Sequence, residues 1–454
     1  MSDRHAPPTP IAAQPLTGNE IVAPGGSVQD ANATLVRAAE QALADNDLER
    51  AIHLAGEAID AHEGDAGLRG RMCAVQAVAH FWLGAYGAAW RRAFVALQHL
   101  PRGSVGWYAA KGHMAMALGQ VGRSADVLSL ADDLASAAPV AVDWDAQVIA
   151  LARTTVVLIR AGSIDRATTL FGGVEREGRD PTAVVARAWV NVALAEFARH
   201  RGDPVANLAH TEAAVAGFAS AGDLRNACLQ RANVGNAYAL LGAYDLAENR
   251  VREALTVAAS MRLGGFVESA RSSWALALAH TGRFVEAVAA LEQVIATCAQ
   301  SRYVRHEARA RVTLSWVRSM QGDHMASADA ATRALAADPS SPHIRALALV
   351  LVARSLLPDR DRRRALDASA EAMDLMVAMG GIDGVEGLIR LTHAEALDAA
   401  GRAHEARAAL AEARTRLLHH AAGIRDERWR RSYLEHVPEH ARIVELARAW
   451  SVAS

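Results

Sequence analysis

The chain is almost without lysine: Lys111 stands alone among 48 basic residues, and the other 47 are arginine. So strong an arginine-for-lysine bias reads as the mark of a GC-rich bacterial genome and carries no function by itself. Aromatics are scarce too, at 5% against 51% hydrophobic residues. Alanine makes up the difference, and alanine gives up least on entering a helix and lets helices approach closely. Cysteine is rare. Cys73, Cys228 and Cys298 lie far apart and make neither a disulfide framework nor a CxxC pair, which points to a reducing cytoplasm. Net charge is small: 48 basic and 50 acidic residues leave −2, so no global field draws in nucleic acid or an anionic membrane. No apolar run nears the roughly 20 residues of a membrane span; the longest, 346–353, lies between Arg345 and Arg354. Residues 1–30 carry Pro7, Pro8, Pro10, Pro15 and Pro24 without a continuous apolar core, so a flexible leader is expected there and not a signal peptide.

What is present is a repeat. Gly84, Gly122, Gly162, Gly202, Gly242, Gly282 and Gly322 each stand between two amphipathic segments, 38 residues apart once and then 40 apart five times. Asn46 lies 38 before the first and Gly401 lies 79 after the last, with the intermediate turn falling at Pro358 and Asp359. Ten helical hairpins are implied. Glycine or asparagine belongs at such a turn because the residue ending the first helix turns left-handed. Asp45, Asp47, Asp165, Asp203, Asp245 and Asp323 cluster at these turns, where a carboxylate can cap the next helix. Small residues mark two further positions. Five after the turn stand Ala51, Ala89, Ala167, Ala247, Ala287, Ser327 and Ala406; seven before it stand Ala77, Ala115, Thr155, Ala195, Gly235, Ala275, Ser315 and Ala394. That pattern lets paired helices cross at close range. Val127 and Asn207 break it, so the third and fifth hairpins are expected to be distorted.

This register resembles the tetratricopeptide repeat, best in Asn233-Val-Gly-Asn-Ala-Tyr238 followed by Gly242, Tyr244, Ala247 and Ala254. The resemblance covers residues 31–422 and implies an all-α, right-handed α-solenoid of about ten hairpins. The period of 40, against the usual 34, implies longer helices and a different superhelical pitch. At the end of the chain, Arg431-Ser-Tyr-Leu-Glu-His-Val-Pro-Glu-His-Ala-Arg442 and the run on to Trp450 resemble the segment closing the tetratricopeptide regions of bacterial Ser/Thr kinases, nucleotide cyclases and ATPase-type transcription regulators. Pro438 suits a first helical turn, and Val437, Ile443, Val444, Leu446, Ala447 and Trp450 supply an apolar face. Residues 423–454 are therefore expected to form C-terminal capping helices.

Catalytic signals are missing. Lys111-Gly112-His113 runs in the wrong order for a phosphate loop and sits in a helical stretch with no preceding strand. His306-Glu307 and His404-Glu405 lack a second histidine, and Pro438 separates His436 from His440, so neither pair presents metal-ligand spacing on one helix; His419-His420 is read as solvated. Arg201-Gly202-Asp203 lies on a repeat turn. The arginine clusters at Arg302, Arg305, Arg309 and Arg311, at 360–364 and at 425–431 are interrupted by Glu307, Asp359, Asp361, Asp426 and Glu427, as on a solvated helix face and unlike a nucleic-acid track. No enzyme activity, cofactor, metal or nucleic acid is expected.

The functional surface is then the concave side, lined by the first helix of each hairpin. Columns ten, six and two residues before each turn lie on one helix face. They place Arg160, Glu196, His200, Asn236, Leu240, Leu276, His280, Trp316 and Met320 in a candidate partner-binding groove. A tighter superhelix would bury these columns instead. Polar side chains at Arg160, Glu196, His200 and Asn236 favour a groove reached by water, since unpaired burial costs about 1 to 3 kcal/mol each, and Trp316 is read as its anchor. With few basic residues in the columns, the groove does not resemble the carboxylate clamp of chaperone-binding family members, and an amphipathic helix or extended apolar peptide is the expected guest. Two functions follow: an interaction scaffold or regulatory module for a protein partner, or a sensor of a peptide or small ligand that changes superhelical pitch.

Overall fold

Each turn of the repeat is a left-handed residue between two helices, which reverses the chain in three residues and packs the second helix against the first. In the computed structural model, Asn46 has φ 63° and the glycines at 84, 122, 162, 202, 242, 282, 322 and 401 all have φ between 71° and 85°. The structure describes residues 28–62, 64–137, 144–176, 180–301, 303–339, 341–358, 361–382 and 384–451. The expected leader lies largely outside the described residues, as do Asp359, Arg360 and Arg302.

The first five hairpins pair α1 (Val28–Ala44) with α2 (Leu48–Ala61), α3 (Ala66–Trp82) with α4 (Tyr86–His99), α5 (Val105–Gln120) with α6 (Ser124–Ala135), α7 (Trp144–Arg160) with α8 (Ile164–Arg176), and α9 (Val184–His200) with α10 (Pro204–Ser220). The next five pair α11 (Leu224–Leu240) with α12 (Tyr244–Ser260), α13 (Gly264–His280) with α14 (Phe284–Ser301), α15 (Val304–Met320) with α16 (His324–Ala337), α17 (Pro342–Leu356) with α18 (Arg362–Ala378), and α19 (Glu386–Ala399) with α20 (Ala403–Gly423). Two shorter helices follow, α21 (Glu427–Glu435) and α22 (Pro438–Ala449), with Pro438 in the first turn of the latter. Among the described residues there is no strand, and no helix is long and apolar enough to cross a membrane. The architecture is an all-α solenoid.

The small-residue pattern is the hairpin contact. A Cβ on Gly235 would lie 3.0 Å from the Ala247 carbonyl, and Ser315 donates its hydroxyl to the Ser327 carbonyl at 2.8 Å. Asn207 does not distort its hairpin: its amide donates to the Ala195 carbonyl at 2.9 Å, replacing close approach with a hydrogen bond, and α9 and α10 both keep 17 residues. At Val127 the second helix, α6, is shorter, at 12 residues. Asp47, Asp203 and Asp323 cap α2, α10 and α16. Asp165 and Asp245 lie inside the first turns of α8 and α12, where the helix dipole favours them, whereas Asp45 accepts a hydrogen bond from Gln41.

The register is finer than the 40-residue reading. In the middle of the chain the turns between hairpins copy those within them: Gly222 (φ 74°) and Arg262 (φ 52°) fall midway between Gly202, Gly242 and Gly282. Helices α9 to α13 have 17 residues each, so the unit is a helix and a three-residue turn repeating every 20. Equal helices wind the solenoid until it meets itself. Asn46 donates to the Met261 carbonyl, Arg225 to that of Leu43, Tyr303 to that of Leu83 and Arg305 to that of Gly119, across 182 to 220 residues, or about five hairpins of 40. Glycine is obligatory where the coils cross: a Cβ on Gly84 would lie 2.9 Å from the Gly265 amide, and one on Gly242 would lie 2.9 Å from the Ser432 carbonyl and the His436 Cβ.

Candidate functional site

Two coils in contact turn an open groove into a lumen. The cavity inside has a volume of ≈ 580 Å³ and is lined chiefly by the first helices of successive hairpins, α5 through α19. Helix α22 closes part of it with Val437, Glu439, His440 and Ile443. Both outcomes expected of the columns are therefore combined: they face one another inside the coil and still face a cavity. Arg160, Glu196, His200, Asn236, Leu240, Leu276, His280 and Trp316 all line it. Met320 does not; its apolar side chain sheds more water by leaning on the core between α13 and α14 than it would on a polar lumen.

Within this wall the named residues differ in state. Glu196 is 6% exposed and holds Arg160 at 2.9 Å and Arg199 at 2.8 Å, so it serves as a buried counter-ion and not as a water-reached contact. Burial pushes its carboxyl up, but the two guanidiniums overcome this and hold it down to about 2. Trp316 is half-buried, with its ring edge toward His280. His280 stacks on Tyr244 at 3.9 Å between ring centroids, and burial holds its imidazole down to about 4. Glu386 bridges Arg390 at 2.7 Å and Arg416 at 2.6 Å. Glu439, by contrast, has no ion pair among the described residues, and burial raises its carboxyl.

The expectation of few basic residues is overturned. Arg199, Arg305, Arg309, Arg390 and Arg416 reach the lumen together with His306, His343, His420 and His440. Arg309 was missed because the columns started too late, and the others because they stand off the columns altogether. Thirteen residues before Gly242, Gly282 and Gly322, one helical turn earlier on the same face, stand Leu229, Ser269 and Arg309, and nine before them stand Asn233, Ser273 and Thr313; all line the cavity.

The other candidates are accounted for by structure. Lys111 forms an ion pair with Asp133 and lies 4.9 Å from the Trp107 ring centroid. His436 ends α21, while His440 is on α22 with Nδ1 2.9 Å from the Tyr433 carbonyl, so the two do not share a helix face. Among the described residues no group of three or more His, Cys, Asp or Glu could hold a metal ion. All three cysteines are free and buried.

No protein-family model matches the chain, and no curated protein matches it in sequence. Among solved structures, a Rap protein complexed with Competence and Sporulation Factor superposes with a TM-score of 0.54 at 13% identity, over 77% of this chain and 98% of that one. Yeast Tom70 aligns over 94% of this chain and 96% of its own, at 13% identity and a TM-score of 0.37. NprR in complex with its cognate peptide NprX aligns over 66% and 86%, at 10% identity and 0.44. These neighbours are tetratricopeptide-type helical repeat proteins, and at such identities the likeness is one of fold.

Proposed function

We propose that the chain is a non-catalytic regulatory receptor, in a reducing cytoplasm, that takes a short peptide or ligand of similar size into its lumen and answers by changing superhelical pitch. The observation that carries this is the cavity that contact between the coils forms on the concave side. At ≈ 580 Å³ it falls within the range of sites that enclose small ligands. Contacts between the coils at Asn46, Arg225, Tyr303 and Arg305 restrict entry along the concave side, which a partner helix would need over its length, and this favours the sensor over a scaffold that seats a partner helix. The fold shared with a Rap protein that was solved with Competence and Sporulation Factor bound supports the same class of function. The resemblance of residues 431–450 to closing segments of bacterial regulatory proteins supports a signalling role.

The test uses the full chain and pooled synthetic short peptides. Pool members should co-elute with the protein in gel filtration, be identified by mass spectrometry, and shift its radius of gyration in X-ray scattering. Asn236→Trp, which fills the lumen, should abolish retention. Retention by that variant equal to wild type, or no retention by either, refutes the lumen as the binding site for such guests.

A further inference from the structure

Building on that reading, we propose that the guest carries a carboxylate, and that this group docks between the two coils on the guanidinium of Arg309, beside Arg305 and Arg199. Arg309 lines the lumen, and among the described residues its side chain makes no hydrogen bond or ion pair. Its neighbours are all engaged: Arg160 and Arg199 on Glu196, and Arg305 on the Gly119 carbonyl and on Asp338 at 3.8 Å. Four guanidiniums meet the carboxylates of Glu196 and Asp338, which leaves two positive charges without counter-ions among the described residues. The charge is felt locally. The Arg309 side chain meets the lumen's water, yet its place inside the coil, then Arg160 and Arg199, and also Arg305 pull it down to about 10 against the pull of Glu196. Burial, then Arg309, with Arg305 and at His343 also Arg199, hold His306 and His343 down to about 4, so both imidazoles are neutral at pH 7.

Such a cluster repels itself until an anion enters. A guanidinium presents five donors in a planar fork matched to a carboxylate, and of these four only that of Arg309 has no partner among the described residues. The cluster spans both coils, with Arg199 on α9 and Arg309 on α15, so it exists only in the wound superhelix. The wall beyond suits the rest of a peptide. Along α15 from Arg309 come Thr313 and then Trp316, seven residues or about 10 Å away, which about three extended residues would cover. A nucleic-acid backbone needs a same-sign track, and this is one enclosed spot. An anion here also favours protonated His306 and His343, so binding should take up protons around pH 5.

The experiment combines two probes on the full chain, on Arg309→Gln, and on Arg363→Gln as an exterior control whose side chain is 92% exposed. The first is the peptide pool in two forms, with free and with amidated C-termini. The second is citrate, with inorganic phosphate as rival, titrated by calorimetry in buffers of different ionisation enthalpy. We expect retained peptides to depend on a free C-terminus or an acidic residue, citrate to outbind phosphate with proton uptake, and Arg309→Gln alone to lose tenfold or more in both. Peptides retained equally by Arg309→Gln, whatever their carboxylates, overturn the anion site and leave the peptide receptor standing. Citrate bound by wild type and lost in Arg309→Gln, with no peptide retained, does the reverse. Phosphate outbinding citrate, or equal citrate binding by all three proteins, overturns the carboxylate assignment.

Discussion

Replacing Glu196 by glutamine keeps the shape of the side chain and removes the charge that Arg160 and Arg199 share. Its size follows from the carboxyl being held down to about 2 from 4.5. That gap of roughly 2.5 units, at 1.36 kcal/mol each, amounts to about 3 kcal/mol, in line with the roughly 3 to 5 kcal/mol lost on breaking a buried ion pair. The sign is set by linkage: a depressed carboxyl stabilises the fold above its unfolded value and ceases to do so as pH falls through its folded one. Glu196→Gln should therefore lower urea stability by about 3 kcal/mol at pH 7, and the gap to wild type should shrink from pH 4.5 and close near pH 2. Hydrogen exchange should place the loss in α7 and α9. Adding Arg309→Gln should restore part of it, because one uncompensated guanidinium goes. A gap below about 1 kcal/mol, the value of an exposed pair, or one independent of pH, would refute the counter-ion role.

Trp316→Ala should cost about 1 to 2 kcal/mol by urea titration, less than the roughly 3 to 5 of a fully enclosed ring, and should weaken a retained peptide tenfold or more; a larger stability loss moves the ring into the core. Gly322→Ala should cost about 1 to 2 kcal/mol for its left-handed backbone alone, since nothing lies within 4 Å of the new methyl. Gly242→Ala should cost measurably more, because the end of α21 must also give way, and equal thermal shifts for the two would contradict the coil contact. Deleting 425–454 uncovers the apolar faces of α19 and α20 and opens the lumen; aggregation in light scattering is expected, and a monomeric, equally stable chain refutes the cap. Burial holds His280, His306, His343 and His440 down to about 4, so wild-type stability should begin to fall below pH 6.5, as the unfolded chain takes up protons that the folded one refuses.

The hairpin count and its turn residues were legible because a left-handed residue every 40 positions leaves few chemical choices. The 20-residue half-period was hidden because Arg262 fills one of its turns, and only glycine or asparagine advertises φ above zero. Eight of the nine candidate residues face the cavity because residues four apart share a helix face. The grouping of Arg309 with Arg199 and Arg305 escaped because pairing across coils is long-range: no local pattern shows that α15 will lie over α5. The states of the side chains were hidden for the same reason. Glu196 has a carboxylate's sequence signal whether it meets water or two guanidiniums.

The Tyr303 hydroxyl reaches the Leu83 carbonyl across 220 residues. In a disordered chain, closing such a loop costs about 5 kcal/mol from chain statistics, more than one net hydrogen bond of about 1 kcal/mol returns. The contact can form only after the intervening hairpins have stacked and brought its ends together. Folding thus proceeds from local hairpins to coil, and the lumen is assembled last, when nearly all helix is already in place. The reverse order holds on unfolding. Far-ultraviolet ellipticity should therefore persist under mild denaturant after ligand capacity has gone, and a bound guest, by tying the last-formed contacts together, should slow unfolding more than it speeds folding.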